Sequence, residues 1–117
     1  MSRFGWRSGW GDRHEAGGWR SALPPGTRRF WVETPSNPTL RLTDIRALAK
    51  RLARRDVRLV VDNTFMSPVL QKPFRFGADI VHHSVTKFLN GHADVVGGVL
   101  VFRDEELMKE VRGVRHY

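Results

Sequence analysis

Lys87 is the residue of this sequence with the clearest capacity for covalent chemistry. It follows a short β-rich run, residues 79–81, and two hydroxyl side chains, Ser84 and Thr86, stand three and one positions before it. A lysine amine becomes a nucleophile towards carbonyl carbons once it loses its proton. The neighbouring hydroxyl groups could donate hydrogen bonds to an anion, such as a phosphate group, bound beside the lysine.

A carboxylate in a comparable position complements this lysine. Asp62 ends a second β-rich run, residues 59–61, so both side chains leave the end of a predicted strand. Pyridoxal phosphate (PLP) needs a lysine for its aldehyde, an acid for its ring nitrogen and donors for its phosphate. Lys87 would hold this cofactor covalently, and Asp62 would keep the ring nitrogen protonated. Ser84 and Thr86 would bind the phosphate.

The elements that would position these groups follow from the sequence pattern. Residues 29–33 are aromatic and β-branched and predict a strand, and two prolines make residues 34–38 a loop. Thr43 is predicted as the N-cap of a helix, with Asp44 in its first turn. A stripe of apolar residues with helical spacing follows, formed by Ile45, Leu48, Ala49, Leu52 and Ala53.

Three further strands, a short turn and a second helix are predicted downstream. The turn lies between Pro68 and Pro73, and the helix begins at Asp104 with acidic residues in its first turn. The strands are apolar and β-branched and cover residues 57–61, 79–83 and 95–102.

Strands and helices alternate along this chain in the manner of a parallel α/β sheet. Ligands of such sheets bind where the strands end, at their carboxyl edge. Asn37, Asp62 and residues 84–87 all follow predicted strand ends. We therefore expect them to meet at one edge of the sheet.

Length, charge and composition limit the functions to consider. The chain has 117 residues, enough for one domain, and no apolar run approaches the roughly 20 residues that span a bilayer. Cysteine is absent, which excludes disulfides and thiolate metal sites and favours a cytoplasmic location. The net charge of +8 would suit a nucleic acid, but no nucleic-acid-binding motif accompanies it, so a nucleic-acid partner is not expected.

Other catalytic motifs fit the sequence less well. There is no P-loop and no Gly-x-Ser-x-Gly elbow. His82, His83 and His92 could in principle bind a metal ion, but adjacent strand residues point to opposite faces of a sheet. We interpret these histidines as ordinary polar side chains and expect no metal site.

Three segments of the sequence resemble one known family. They read WVETPSNPTL at residues 31–40, VVDNTF at residues 60–65 and HSVTKFLNGHAD at residues 83–94. Their order and spacing are similar to those of the trans-sulfuration (Cys/Met metabolism) family of fold type I PLP-dependent enzymes, over about residues 25–101. The resemblance implies an α/β fold, a part of the mostly parallel sheet of the large PLP-binding domain. We assign residues 22–117 to it and find no counterpart for residues 1–21, an Arg-, Gly- and Trp-rich arm expected to be disordered.

The resemblance also implies site residues and an activity. Lys87 would be the cofactor lysine, Asp62 the partner of the ring nitrogen, and Ser84 and Thr86 phosphate ligands, while Asn37 would face the ring hydroxyl. The segments look closest to cystathionine γ-lyases and γ-synthases, which implies carbon–sulfur bond chemistry on a sulfur-containing amino acid. A homo-oligomer is implied for the complete enzyme.

The chain departs from the family pattern in what it lacks. The tyrosine that stacks on the cofactor, the phosphate loop and the arginine that binds the substrate carboxylate have no counterpart, since the only tyrosine is Tyr117. We therefore expect a truncated chain, inactive alone. The alternative is a non-enzymatic, Arg-rich protein that binds nucleic acid or another partner.

Overall fold

A four-stranded sheet forms the centre of the protein. The computed structural model describes residues 8–9 and 23–114. The strands are β1 (Arg29–Glu33), β2 (Arg58–Asp62), β3 (Ile80–Ser84) and β4 (Gly98–Phe102), and they lie in the order β1-β2-β3-β4. β1, β2 and β3 run parallel, and β4 runs antiparallel to β3. The predicted mostly parallel α/β sheet is confirmed.

The fourth strand is shorter than predicted. It was expected from residue 95, but it begins at Gly98, because the preceding residues pair with the turn that follows β3. The Thr86 N–H donates to the Gly97 carbonyl (3.3 Å), and the Gly97 N–H donates to Thr86 Oγ1 (2.9 Å). The connection folds straight back along β3 without a crossover helix, so β4 must be antiparallel.

Within residues 23–114, two α-helices and two shorter turns connect the strands, and a third α-helix follows β4. The helices are α1 (Ile45–Ala53), α2 (Ser67–Leu70) and α3 (Glu105–Val114), and a 3₁₀ turn covers Pro73–Phe76. We call Val85–Leu89 the lysine turn; it has π-helical hydrogen bonding and a non-helical backbone at Lys87 (φ −97°, ψ −130°). No helix within residues 23–114 is long and apolar enough to cross a membrane.

The prediction that Thr43 caps α1 is wrong. Asp44 is the N-cap, and its Oδ1 accepts a hydrogen bond from the Ala47 N–H at 2.9 Å. The backbone N–H of Thr43 instead donates to Thr34 Oγ1 at 2.9 Å, which ties the start of the helix to the loop after β1. Threonine and aspartate are both good N-caps. The hydrogen bond between Thr43 and Thr34 therefore decides which of the two adjacent residues, Thr43 or Asp44, caps the helix.

The two faces of the sheet are covered unequally. α1 packs its apolar stripe on one face, where Leu48, Leu52, Leu59 and Val61 are buried. The other face carries a smaller cluster in which Leu107 of α3 contacts buried residues of β2 and β3. Val99, Leu100 and Val101 of β4 keep 38–42% of their surface exposed, so the core lies under β1, β2 and β3.

Candidate active site

Asp62 lies at the carboxyl end of β2, in the centre of the parallel part of the sheet. Its register partners are Glu33 on β1 and His82 on β3. The Thr34 N–H donates to the Asp62 carbonyl (3.4 Å), and the Asn63 N–H donates to the His82 carbonyl (2.9 Å). These bonds hold the three strand ends together and place the Asp62 carboxylate at their common edge.

The Asp62 carboxylate is held by three hydrogen bonds. Its Oδ1 accepts one from the Thr64 N–H (3.0 Å) and one from the Thr64 hydroxyl (2.6 Å). Its Oδ2 lies 2.9 Å from His82 Nδ1. The side chain is 18% exposed, so the carboxylate is fixed in orientation yet can still be reached from outside.

Thr64 connects this carboxylate to the next strand. Its hydroxyl, which donates to Asp62, accepts a hydrogen bond from the Ser84 N–H at 2.9 Å. Ser84 is the last residue of β3 and directly precedes the lysine turn. The structure therefore brings Asp62, Ser84 and the start of the lysine turn together through one hydroxyl group.

Lys87 lies in the middle of the lysine turn with an exposed side chain. Its carbonyl accepts a hydrogen bond from the Gly91 N–H at 3.0 Å, and the Asn90 N–H donates to Val85 at 3.1 Å, so the turn closes around the lysine. Thr86, its neighbour, also donates its hydroxyl to the Gly97 carbonyl at 3.2 Å. The lysine turn is thus tied to the residues before β4.

Asn37 lies at the same edge of the sheet but apart from the other predicted residues. It belongs to the loop after β1, where its backbone N–H donates to Glu33 Oε2 at 3.0 Å. Its side chain is exposed, and among residues 23–114 no hydrogen bond joins it to Asp62, Ser84 or Lys87. The structure thus places Asn37 in the loop after the neighbouring strand, without a hydrogen bond to the other predicted site residues that it describes.

Asn63 is a structural residue that the sequence interpretation missed. It is fully buried, and its amide nitrogen donates to the carbonyls of Ser67 (3.0 Å) and Gln71 (2.9 Å). Gln71 donates back to Asn63 Oδ1 (2.7 Å) and to the Thr34 carbonyl (3.1 Å). This network ties both ends of α2 to Asn63 at the end of β2. It therefore supports Asp62, the residue before Asn63.

The two histidines of β3 differ in their surroundings. His82 lies on the face of Asp62 and contacts Trp31, with ring centroids 5.3 Å apart. His83 faces the opposite side and is buried, and its Nδ1 has no hydrogen-bond partner in the part of the chain that the structure describes. Burial lowers the pKa of His83, an effect that the nearby Asp62 carboxylate partly opposes. Only the strand register, which the sequence did not supply, pairs His82 with Asp62.

The donor set fits the cofactor that the sequence predicts. An anchored carboxylate suits a protonated ring nitrogen, and the exposed Lys87 amine suits an aldehyde. Within residues 8–9 and 23–114 the Ser84 hydroxyl makes no hydrogen bond and can donate to a phosphate. The described residues offer no group of three metal-ligating side chains.

The chain is similar in sequence to one known family and to individual proteins. The family model for "Cys/Met metabolism PLP-dependent enzyme" matches residues 1–116, a range that includes the N-terminal arm. The chain is 56% identical over 90 residues to the cystathionine gamma-synthase of Mycobacterium tuberculosis strain H37Rv. This alignment covers 77% of this chain and 23% of that protein. It is 41% identical over 116 residues to the cystathionine gamma-lyase of Bacillus subtilis, an alignment that covers 99% of this chain and 31% of the relative.

Solved structures show the same likeness. The apo form of CalE6, a methionine gamma lyase from Micromonospora echinospora, superimposes with a TM-score of 0.84 at 46% identity, covering 91% of this chain and 29% of that chain. The structure thus spans less than a third of the length of each of these relatives. The N-terminal arm, predicted to be disordered, lies almost wholly outside the described residues.

Proposed function

The chain belongs to the Cys/Met metabolism PLP-dependent enzyme family, and from this we propose that it is the cofactor-binding part of a PLP-dependent enzyme of sulfur amino-acid metabolism. Its substrate would be a sulfur-containing amino acid such as cystathionine, and its reaction would break or exchange a bond at the β or γ carbon. The cystathionine gamma-synthase and gamma-lyase relatives support this class. A cytoplasmic location and a homo-oligomeric complete enzyme stay predictions.

One observation carries the proposal: the anchored carboxylate of Asp62 lies one hydroxyl group away from the segment that bears Lys87. PLP, when bound, supplies an aldehyde and a pyridinium ring that stabilises negative charge at the α-carbon of an amino acid. The Asp62 carboxylate would accept a hydrogen bond from the protonated ring nitrogen. Thr64 orients Asp62 for this task through two hydrogen bonds to Oδ1.

Lys87 has two tasks in this proposal. Its amine would hold the cofactor, and the same amine would act as the base that accepts the proton of the substrate α-carbon. The exposed lysine turn leaves the side chain free to move between these positions. No other lysine of the chain lies at the strand ends: Lys50 lies in α1, Lys72 precedes the 3₁₀ turn and Lys109 lies in α3.

The hydroxyl groups of Ser84 and Thr86 would bind the phosphate, but only Thr86 would have to break an existing hydrogen bond to do so. The Ser84 hydroxyl is available without breaking a bond inside residues 23–114. The Thr86 hydroxyl has one proton, which it donates to the Gly97 carbonyl. A phosphate contact at Thr86 therefore requires that proton to turn away from Gly97, so we expect Ser84 to contribute more. Asn37 would face the ring hydroxyl from the loop after β1.

Trapping the cofactor tests the proposal. The purified chain is incubated with PLP, reduced with borohydride and digested, and the pyridoxyl group is located by mass spectrometry. We expect the adduct on Lys87 and its loss in Lys87→Arg, with Lys109→Arg as the matched control that keeps it. A dominant adduct on Lys50, Lys72 or Lys109 would contradict the site assignment.

A further inference from the structure

His82 is the closest neighbour of the Asp62 carboxylate to which the proposed reaction gives no task. The two residues are register partners on the parallel strands β2 and β3, so their side chains leave the same face of the sheet. His82 Nδ1 lies 2.9 Å from Asp62 Oδ2, and both side chains are largely buried, at 24% and 18% exposure. The Trp31 ring packs against the imidazole of His82, with ring centroids 5.3 Å apart and an angle of 52° between the ring planes.

The protonation of this pair is restricted by the chemistry of the carboxylate. An ionised carboxylate only accepts hydrogen bonds, so the contact requires a proton on His82 Nδ1. A neutral His82 must then be the Nδ1–H form, with Nε2 unprotonated. The 2.9 Å contact thus selects one of the two neutral forms of the ring.

The acceptor capacity of Asp62 is also restricted. A carboxylate has about four acceptor positions. Among the described residues, Thr64 fills two on Oδ1 and His82 fills one on Oδ2. One position remains on Oδ2, and His82 determines which way it points.

We propose that His82 is a positioning residue for Asp62: its Nδ1–H holds Oδ2 so that the remaining acceptor position faces the ring nitrogen of PLP. This inference rests on the proposed function. Trp31 packs against the imidazole and limits its rotation. His82 acts through Asp62 alone in this proposal.

The first test needs no cofactor. Long-range ¹H–¹⁵N spectra of the ¹⁵N-labelled chain, at a pH of about 8.5 where imidazoles are generally neutral, report which ring nitrogen of each histidine carries the proton. We expect His82 in the Nδ1–H form and a shift towards Nε2–H in Asp62→Leu, which removes the acceptor. An Nε2–H ring in the unmodified chain would overturn the proposal.

The second test separates positioning from simple packing. Equilibrium dialysis measures the dissociation constants of PLP and of its deaza analogue, in which a C–H group replaces the ring nitrogen. His82→Leu fills similar space without a donor, and we expect it to weaken PLP binding by about tenfold, the usual effect of losing a hydrogen bond to a charged group. His82→Asn keeps an N–H donor near the Nδ1 position and should restore most of the affinity.

The deaza analogue decides the interpretation, because it has no ring nitrogen for Asp62 to bind. Its affinity should be the same in the unmodified chain and in His82→Leu. Equal weakening of both ligands would overturn the proposal and leave His82 a packing residue. If neither ligand binds the unmodified chain, the proposed function fails for this chain and the claim that His82 positions Asp62 for PLP falls with it, while the first test still decides whether the Nδ1–H bond exists.

Discussion

The hydrogen-bond network of Asn63 allows a quantitative prediction about stability. Asn63→Ala removes three hydrogen bonds: two donated by the amide nitrogen to Ser67 and Gln71, and one accepted from Gln71. Each hydrogen bond contributes a net of about 1 kcal/mol. The Ser67 carbonyl keeps a second donor, the Gln71 N–H at 3.2 Å, so it is not left unsatisfied. We therefore expect the free energy of unfolding to fall by about 3 kcal/mol.

The control is an asparagine with similar bonds in a more exposed place. Asn90 donates to the His92 carbonyl (2.9 Å) and to Asp94 (2.7 Å) within an exposed loop. Water replaces such bonds readily, so Asn90→Ala should change the unfolding free energy by about 0.5 kcal/mol or less.

Urea denaturation monitored by tryptophan fluorescence measures both variants. Gln71→Ala removes only the bonds that Gln71 donates to Asn63 and Thr34, and it should fall between the two. This variant keeps the comparison informative if Asn63→Ala has no folded baseline. Equal losses for Asn63→Ala and Asn90→Ala would refute the reasoning, since they would mean that burial does not determine the contribution of these amides.

Three further predictions concern pH, catalysis and association. Burial lowers the pKa of His83, so the unfolded chain binds more protons and stability should fall as the pH drops below about 6.5; unfolding curves at several pH values should show a weaker dependence in His83→Gln. In any preparation that releases thiol or 2-oxo acid from cystathionine, Lys87→Ala should abolish the release and Asp62→Asn should slow it by about 100-fold, whereas an unchanged rate in either variant would contradict the assigned roles. The exposed apolar residues 99–101 of β4 should make the chain associate, so sedimentation of a single monomeric species at all concentrations would count against this.

Local patterns in the sequence predicted most of the elements. The apolar residues of α1 recur with helical spacing, and β2 is a continuous apolar run after Arg58; the structure buries both. The start of β4 was not predictable in this way. The residues before Gly98 bond to Thr86, and a contact between a turn and a distant strand leaves no periodic signal.

The positions of the candidate site residues at strand ends were predictable, but the contacts among them were not. Lys87, Asp62 and Ser84 could be placed at strand ends because polar residues followed apolar runs. Thr64 lies within one of the matching segments, yet its role depends on where the Ser84 N–H lies. The His82–Asp62 contact depends on the register of two parallel strands, and a shift of one residue would turn His82 to the other face.

The hydroxyl bridge of Thr64 has an energetic consequence for any ligand of Asp62. The bridge runs from the Ser84 N–H through the Thr64 hydroxyl to Asp62 Oδ1, and protein groups alone complete it. The dipoles along it all point towards the carboxylate, so their orientation is established during folding. A positively charged ring that approaches Asp62 therefore meets a carboxylate whose orientation is already fixed, and its binding needs little reorganisation energy.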